Sequence, residues 1–154
     1  KNVLNKSDAM GEIIGADCFG PMDILNEQPG YFWYGIHSIE MLFTILGQGV
    51  KKVNVVKNED HDLIIAEWKD ERIGTVRGNR KGNSQFGAVV HFERGSEFVS
   101  IDSKQKPFYA SLIEEVMLFF QKKVSPVPLD ETREIIQFIE FANESRVSGQ
   151  TVYL

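Results

Sequence analysis

The sequence predicts an α+β domain: an open, mostly antiparallel β-sheet with helices packed on one face. Two patterns carry that reading. Between residues 50 and 102, four to six short strand-like segments follow one another across short turns, the mark of antiparallel pairing. One helical stretch precedes them and two follow, each with an apolar stripe. At 154 residues, 42% hydrophobic and 25% charged, the chain is long enough for one domain with its own core and too apolar for disorder.

The elements follow in order. Residues 2–9 are short and polar and read as the end of a helix. Residues 12–19 read as a strand. The loop 20–30, with Pro21, Asp23, Asn26 and Pro29, is long for a connector, and such loops often carry function. A helix begins at Tyr34 or His37 and ends at Leu46, stopped by Gly47-Gln48-Gly49. Strands are then expected over 50–56, 62–69, 72–77, 85–94 and 97–102, with turns at Asp70-Glu71 and 93–96. In the fourth, Phe86, Ala88, Val90 and Phe92 share one face. Pro107 opens a helix with Leu112, Val116, Phe119 and Phe120 on its stripe. The last helix is expected to start at an Asp130 N-cap, bury Ile135, Phe138, Ile139 and Ala142, and stop at Gly149. Residues 151–154 can add an edge strand. Trp68, Phe92 and Phe98 are expected to make the far sheet face partly apolar, which favours a dimer through the sheet.

Composition narrows the function. A net charge of -5 argues against nucleic acid or an anionic membrane as partner. No apolar run approaches 18 residues, so no membrane span is expected. The single cysteine, Cys18, lies in an apolar run and reads as a buried, inert thiol. No Gly-x-Gly-x-x-Gly follows a strand, and there is no Walker sequence, His-Glu-x-x-His or cysteine cluster, so no cofactor-binding or metal residue is assigned. His61 reads as part of a solvated turn and His91 as a sheet histidine. The basic, glycine-rich 77–83 segment reads as a plain connection, with phosphate or carboxylate binding as the alternative.

The chemistry concentrates in 30–47. His37 and Glu40, three residues apart, share a face of the helix's first turn, while Ile39, Leu42, Phe43 and Leu46 pack. Tyr31, Trp33 and Tyr34 precede them, either as an aromatic wall for a sugar ring or as packing beneath the long loop. Asp23, in that loop, joins the candidate set.

Three segments resemble the C-terminal domain of the glucose-fructose oxidoreductase, inositol dehydrogenase and MocA-like family. Tyr34-Gly-Ile-His37-Ser-Ile-Glu40-Met-Leu is similar to the family's Gly-x-His-x-x-Asp/Glu-Leu segment. Pro107-Phe-Tyr-Ala-Ser-Leu-Ile-Glu-Glu-Val is similar to the stretch before its penultimate helix. Residues 127–149, ending Glu144-Ser145-Arg-Val-Ser-Gly149, resemble its last helix, and Gly11-Glu-Ile-Ile-Gly15 resembles the strand that opens the domain.

The resemblance implies a single C-terminal substrate-binding and oligomerisation domain over residues 1–154. An upstream Rossmann domain, absent from this chain, would bind NAD or NADP; the chain, which begins at Lys1 rather than Met, is expected to be a fragment inactive alone. His37 is implied as the proton relay for a sugar, cyclitol or polyol. Glu40, Tyr31, Trp33, Tyr34 and Asp23 are the substrate-binding candidates, and a homo-dimer or higher oligomer through the sheet and a cytoplasmic location are expected. One departure matters: where the family often has an aspartate four residues before the histidine, this chain has Trp33. That leaves a non-catalytic sugar-binding module of the same fold as the alternative. An unrelated hydrolase using His37 with Asp23 or Glu40 stands further off, because no nucleophile is evident.

Overall fold

The computed structural model describes residues 3–101 and 107–154. After a one-turn helix α1 (Ser7–Met10), the strands are β1 (Ile13–Pro21), β2 (Val50–Lys57), β3 (His61–Trp68), β4 (Ile73–Asn79), β5 (Gly87–Phe92), β6 (Gly95–Ser100) and β7 (Val152–Tyr153). They form one sheet in the order β6–β5–β1–β4–β3–β2–β7. Every neighbouring pair is antiparallel except β1 and β4, which run parallel. β1 lies inside the sheet, between β5 and β4, and buries Gly15, Ala16, Cys18 and Gly20. Burial, and next to it Asp17, push the Cys18 thiol up to about 12, so it is inert.

Three longer helices complete the fold: α2 (Gly35–Leu46), α3 (Phe108–Lys122) and α4 (Leu129–Ser148). α2 lies over β1 and β4, and α4 over β2, on the same sheet face. Between them Phe43 meets Phe138 edge-on at 5.5 Å and Trp68 at 6.0 Å, and Leu42, Ile64 and Ile139 fill the space around them. Each such side chain contributes about 1.5–3 kcal/mol on burial. Gly74 lets α2 approach: a Cβ there would lie 2.7 Å from Leu46 and 2.8 Å from Leu42.

The polar ties of α4 explain its sequence. Glu134 accepts the backbone N–H groups of Gly49 and Val50 at 2.6 and 2.8 Å, holding the start of β2. β7 pairs with β2 only at Lys52 and Val53, so the N–H of Val55 has no strand partner on that side; it donates instead to the buried Ser145 hydroxyl at 3.0 Å. Gly149 then ends the helix at φ +70, its N–H on the Ser145 carbonyl.

Four segments converge on one buried carboxylate. Asp62 at the start of β3 accepts Arg80 Nη2 at 2.8 Å, Arg146 Nε at 2.7 Å and the Tyr31 hydroxyl at 2.9 Å. Burial works against its charged form, but these three donors outweigh it and hold its pKa below the usual carboxylate range. Tyr31 is fully buried, and that burial together with the Asp62 charge raises its own pKa.

Several expectations are corrected. Asp130 lies in the first turn of α4, where it favours the dipole, but the N-cap is Pro128. Trp68 and Phe92 belong to the buried, helix-facing side; of the three aromatics only Phe98, 61% exposed, lies on the far face. Asp102, the expected end of β6, is outside the described residues, as is Asn2 at the start of the first polar stretch. α3 is not buried against the sheet as α2 and α4 are: Phe108, Leu112, Ile113, Met117 and Phe120 are each more than half exposed.

Two outcomes follow for the Asp62 centre. Asp62→Asn leaves two guanidiniums on a neutral amide and lowers unfolding free energy by about 3 kcal/mol. Tyr31→Phe removes one charge-assisted donor and lowers it by about 1.5–3 kcal/mol. Urea titrations check both. Because the folded pKa of Asp62 is depressed, its contribution is present above the unfolded value of ~3.9 and vanishes as pH falls through the folded one. The stability gap between wild type and Asp62→Asn must therefore narrow in acid.

Candidate functional site

The end of the long loop is pinned before the helix starts. Asn143 of α4 accepts the Tyr31 N–H at 3.1 Å through Oδ1 and donates to the Pro29 carbonyl at 3.3 Å through Nδ2. Gly30, at φ +53, is required there, since a Cβ would sit 1.9 Å from Asn143 Oδ1. Gly35, the first residue of α2, lies against Tyr31, whose Cβ a new side chain would meet at 2.8 Å. Anchored in this way, the first turn of α2 carries His37 outward and Ser38 inward.

His37 stands at an open cleft of about 640 Å³. Its imidazole lies edge-on to Tyr34 at 5.7 Å and to Phe86 at 6.1 Å. Glu40, Met41 and Thr44 continue the α2 wall; Phe86 and Ile101 come from the sheet side; Phe108, Tyr109 and Leu112 of α3 form the opposite wall. Among the described residues no side chain hydrogen-bonds the imidazole. Glu40 is exposed at the rim, yet its carboxyl is partly desolvated against this apolar lining; that raises its pKa, and the nearby His37 offsets part of the rise. The cleft is thus an aromatic slot with an imidazole and an easily protonated carboxyl at its edge. It can stack a ring, exchange hydrogen bonds with hydroxyl groups and accept a proton.

The structure brings Tyr34, His37 and Glu40 together, and excludes the other three candidates from the cleft. Tyr31 lies in the core with its hydroxyl on Asp62, because its ring points under the loop rather than out of it. Trp33 is 40% exposed, lies outside the lining, and meets Tyr34 edge-on at 5.8 Å. Asp23 is an exposed loop residue outside the lining, which also removes it as a partner for His37. Phe86, Phe108 and Tyr109 were missed. Phe86 had a signal: its alternation with Ala88 and Val90 puts it on the helix-facing side, beneath His37. The α3 residues had none beyond apolarity.

The remaining polar candidates lie outside the cleft lining. In the 77–83 segment Arg80 turns inward to Asp62 and to the carbonyls of Asn58 and Glu59, so it anchors the connection. His61 opens β3, its N–H on the Asn58 side chain at 2.8 Å. His91, on the far sheet face, bridges Ser96 and Asp17 at 2.8 Å each, and Asp17 also accepts the Thr75 hydroxyl at 2.6 Å. Among the described residues no group of histidine, cysteine and carboxylate side chains is placed to hold a metal ion, and no helix is long and apolar enough to cross a membrane.

No protein-family model and no curated protein matches the chain. Solved structures do. GenD2 from gentamicin A biosynthesis, in complex with NAD, superposes with a TM-score of 0.83 at 12% identity, over 99% of this chain and 58% of that one. Myo-inositol dehydrogenase from Lactobacillus casei, in complex with NAD(H) and myo-inositol, gives 0.76 at 14% identity, over 99% and 57%. Myo-inositol dehydrogenase from Corynebacterium glutamicum gives 0.77 at 11%, over 99% and 59%. The chain spans less than three-fifths of the length of each of these. In fold, then, it is the counterpart of one part of such dehydrogenases, the part that the resemblance to the glucose-fructose oxidoreductase, inositol dehydrogenase and MocA-like family implies.

Proposed function

We propose that this chain is the substrate-binding domain of an NAD- or NADP-dependent dehydrogenase acting on a sugar, cyclitol or related polyol, with His37 as the proton relay. The observation that carries the reading is the unencumbered imidazole of His37 at an aromatic-walled cleft. A neutral imidazole can take a proton from a substrate hydroxyl as it is oxidised. Tyr34, Phe86 and Tyr109 offer flat faces to the C–H side of a ring, and Glu40 faces its hydroxyls. The capture of myo-inositol in the Lactobacillus casei enzyme supports this substrate class.

The described residues offer no glycine-rich phosphate cradle at a helix start, so the nicotinamide cofactor does not fit this chain. An upstream domain would hold it, and the cofactor would supply hydride acceptance. The far sheet face exposes Ile65, Ile73, Val56 and Phe98, the last stacked on Phe19 at 6.1 Å, and a second copy is the proposed occupant of that face. A cytoplasmic location follows from dependence on a nicotinamide pool.

A second reading, a sugar-binding module without catalysis, is favoured by Trp33 where the family often has an aspartate. One variant separates the two. In the polypeptide carrying its upstream domain, His37→Ala is expected to lower kcat/KM by about 10²–10⁴-fold while NAD affinity is unchanged. Steady-state kinetics with both cofactors checks this, and an unaltered kcat/KM removes His37 from the chemistry. Tyr109→Ala is expected to raise KM more than it lowers kcat, as loss of a stacking face requires.

A further inference from the structure

We infer that the Ser38 hydroxyl is a concealed contact for a substrate hydroxyl, reached when the Phe86 ring swings off it into the open cleft, which makes Ser38 a specificity-determining residue set behind His37. The inference rests on the proposed function for its ligand class alone. Ser38 is fully buried in the first turn of α2, next in sequence to His37. Its Oγ has no hydrogen-bond partner among the described residues. Most buried hydroxyls are paired, and one that is not calls for an explanation. A helical hydroxyl can settle on the carbonyl one turn back, as Thr44 does on Glu40 at 2.8 Å. Ser38 does not.

The position of the hydroxyl decides what it is for. Ser38 Oγ and the Phe86 ring crowd the same spot: a Cβ on Gly20 would lie 2.6 Å from that Oγ and 2.5 Å from the ring carbon Cδ1. Only glycine at 20 leaves room for both. The same ring lines the His37 cleft and stands edge-on to the imidazole at 6.1 Å. It thus borders the cleft on one side and neighbours the hydroxyl on the other. Two further buried polar atoms lack a partner among the described residues, on His61 and Arg80, and both residues lie outside the cleft lining.

The ring is the part that can move. The backbone around it is held: the Phe86 carbonyl accepts the Ile101 N–H at 3.1 Å, and Gln85 donates through Nε2 to the Ser100 hydroxyl at 2.7 Å. The Phe86 side chain is only half-buried, with an open cleft of about 640 Å³ before it. A change of χ1 rotamer carries the ring aside without disturbing β5, and leaves a recess floored by Gly20 and Ser38. A ring hydroxyl entering that recess gives Ser38 its missing partner, as donor or as acceptor. An orphaned hydroxyl is unfavourable, so its pairing offsets part of the cost of uncovering the ring. The site then holds a third polar group behind His37 and Glu40. It favours ligands with a hydroxyl directed at α2 over ring analogues that lack one.

The gate is tested without ligand and the contact with it. The chain has one cysteine, Cys18, buried in the core. In Ser38→Cys, iodoacetamide is expected to label the introduced thiol while Cys18 stays unlabelled, as mass spectrometry of the peptides reports. Phe86→Ala added to that variant should speed the labelling about tenfold or more, and saturating myo-inositol should slow it by a similar factor. Ser38→Ala should weaken myo-inositol binding about tenfold, while its urea midpoint stays level or rises. A hydroxyl with only a structural role would not lower affinity while leaving stability intact. Ser38→Ala adds no bulk, so it decides the contact even where the larger thiol disturbs packing. Labelling of both thiols together at the rate of global unfolding, in a Ser38→Cys protein with wild-type Trp68 emission, would overturn the inference. Unchanged affinity in Ser38→Ala would overturn it as well. Gated labelling in a protein that binds no myo-inositol would overturn the substrate class proposed above, and the Ser38 contact with it, while leaving the gate standing.

Discussion

A single buried carboxylate holds the candidate site in place. Asp62 receives the hydroxyl of Tyr31, which precedes α2; the guanidinium of Arg80, in the β4–β5 connection; and that of Arg146, in α4. Residues 31, 62, 80 and 146 are remote in sequence and adjacent in space. A charge removed from water needs such partners, and removing any one leaves the others unsatisfied. The arrangement specifies where the end of the long loop must lie, and hence where α2 begins. Asn143 and the two glycines at 30 and 35 hold the same position. His37 lies in the first turn of α2. Its placement is therefore fixed from behind, by groups that never see the cleft.

The front of the site is built differently. Its walls are aromatic and aliphatic, and its polar content is concentrated in His37 and Glu40. Such a slot recognises shape and ring faces, and leaves few groups to discriminate among hydroxyl patterns. The rigid half stands on α2 and the sheet. The other half stands on the start of α3, whose apolar side chains are largely exposed.

Much of the fold was legible because it is written locally. Alternation marked the strands, Gly47 marked the end of α2, and the Ile135–Ala142 stripe marked the buried side of α4. The parallel pairing of β1 with β4 was not legible, since it depends on where β1 inserts among strands that follow it in the chain. The site divided on the same line. Tyr34, His37 and Glu40 are spaced three apart at the start of one helix, so spacing sufficed. Tyr31 was left open between a cleft wall and packing beneath the loop because aromaticity says nothing of direction; its direction is set by Asp62, 31 residues away. Phe86 and Tyr109 reach the cleft only through tertiary packing. The stripe of α3 was plain in the sequence, but a stripe does not say what covers it.

The central claim is that the cleft beside His37 receives a polyol. The chain has only three histidines, in three different settings: His37 at the cleft, His61 at a strand start and His91 on the far sheet face. Their imidazole NMR signals, followed while myo-inositol is titrated to saturation, test the claim most directly. The account predicts that the His37 signal moves, together with ring protons of Tyr34 and Phe86, while those of His61 and His91 stay fixed. A response at His91 instead, or none at His37, would contradict it.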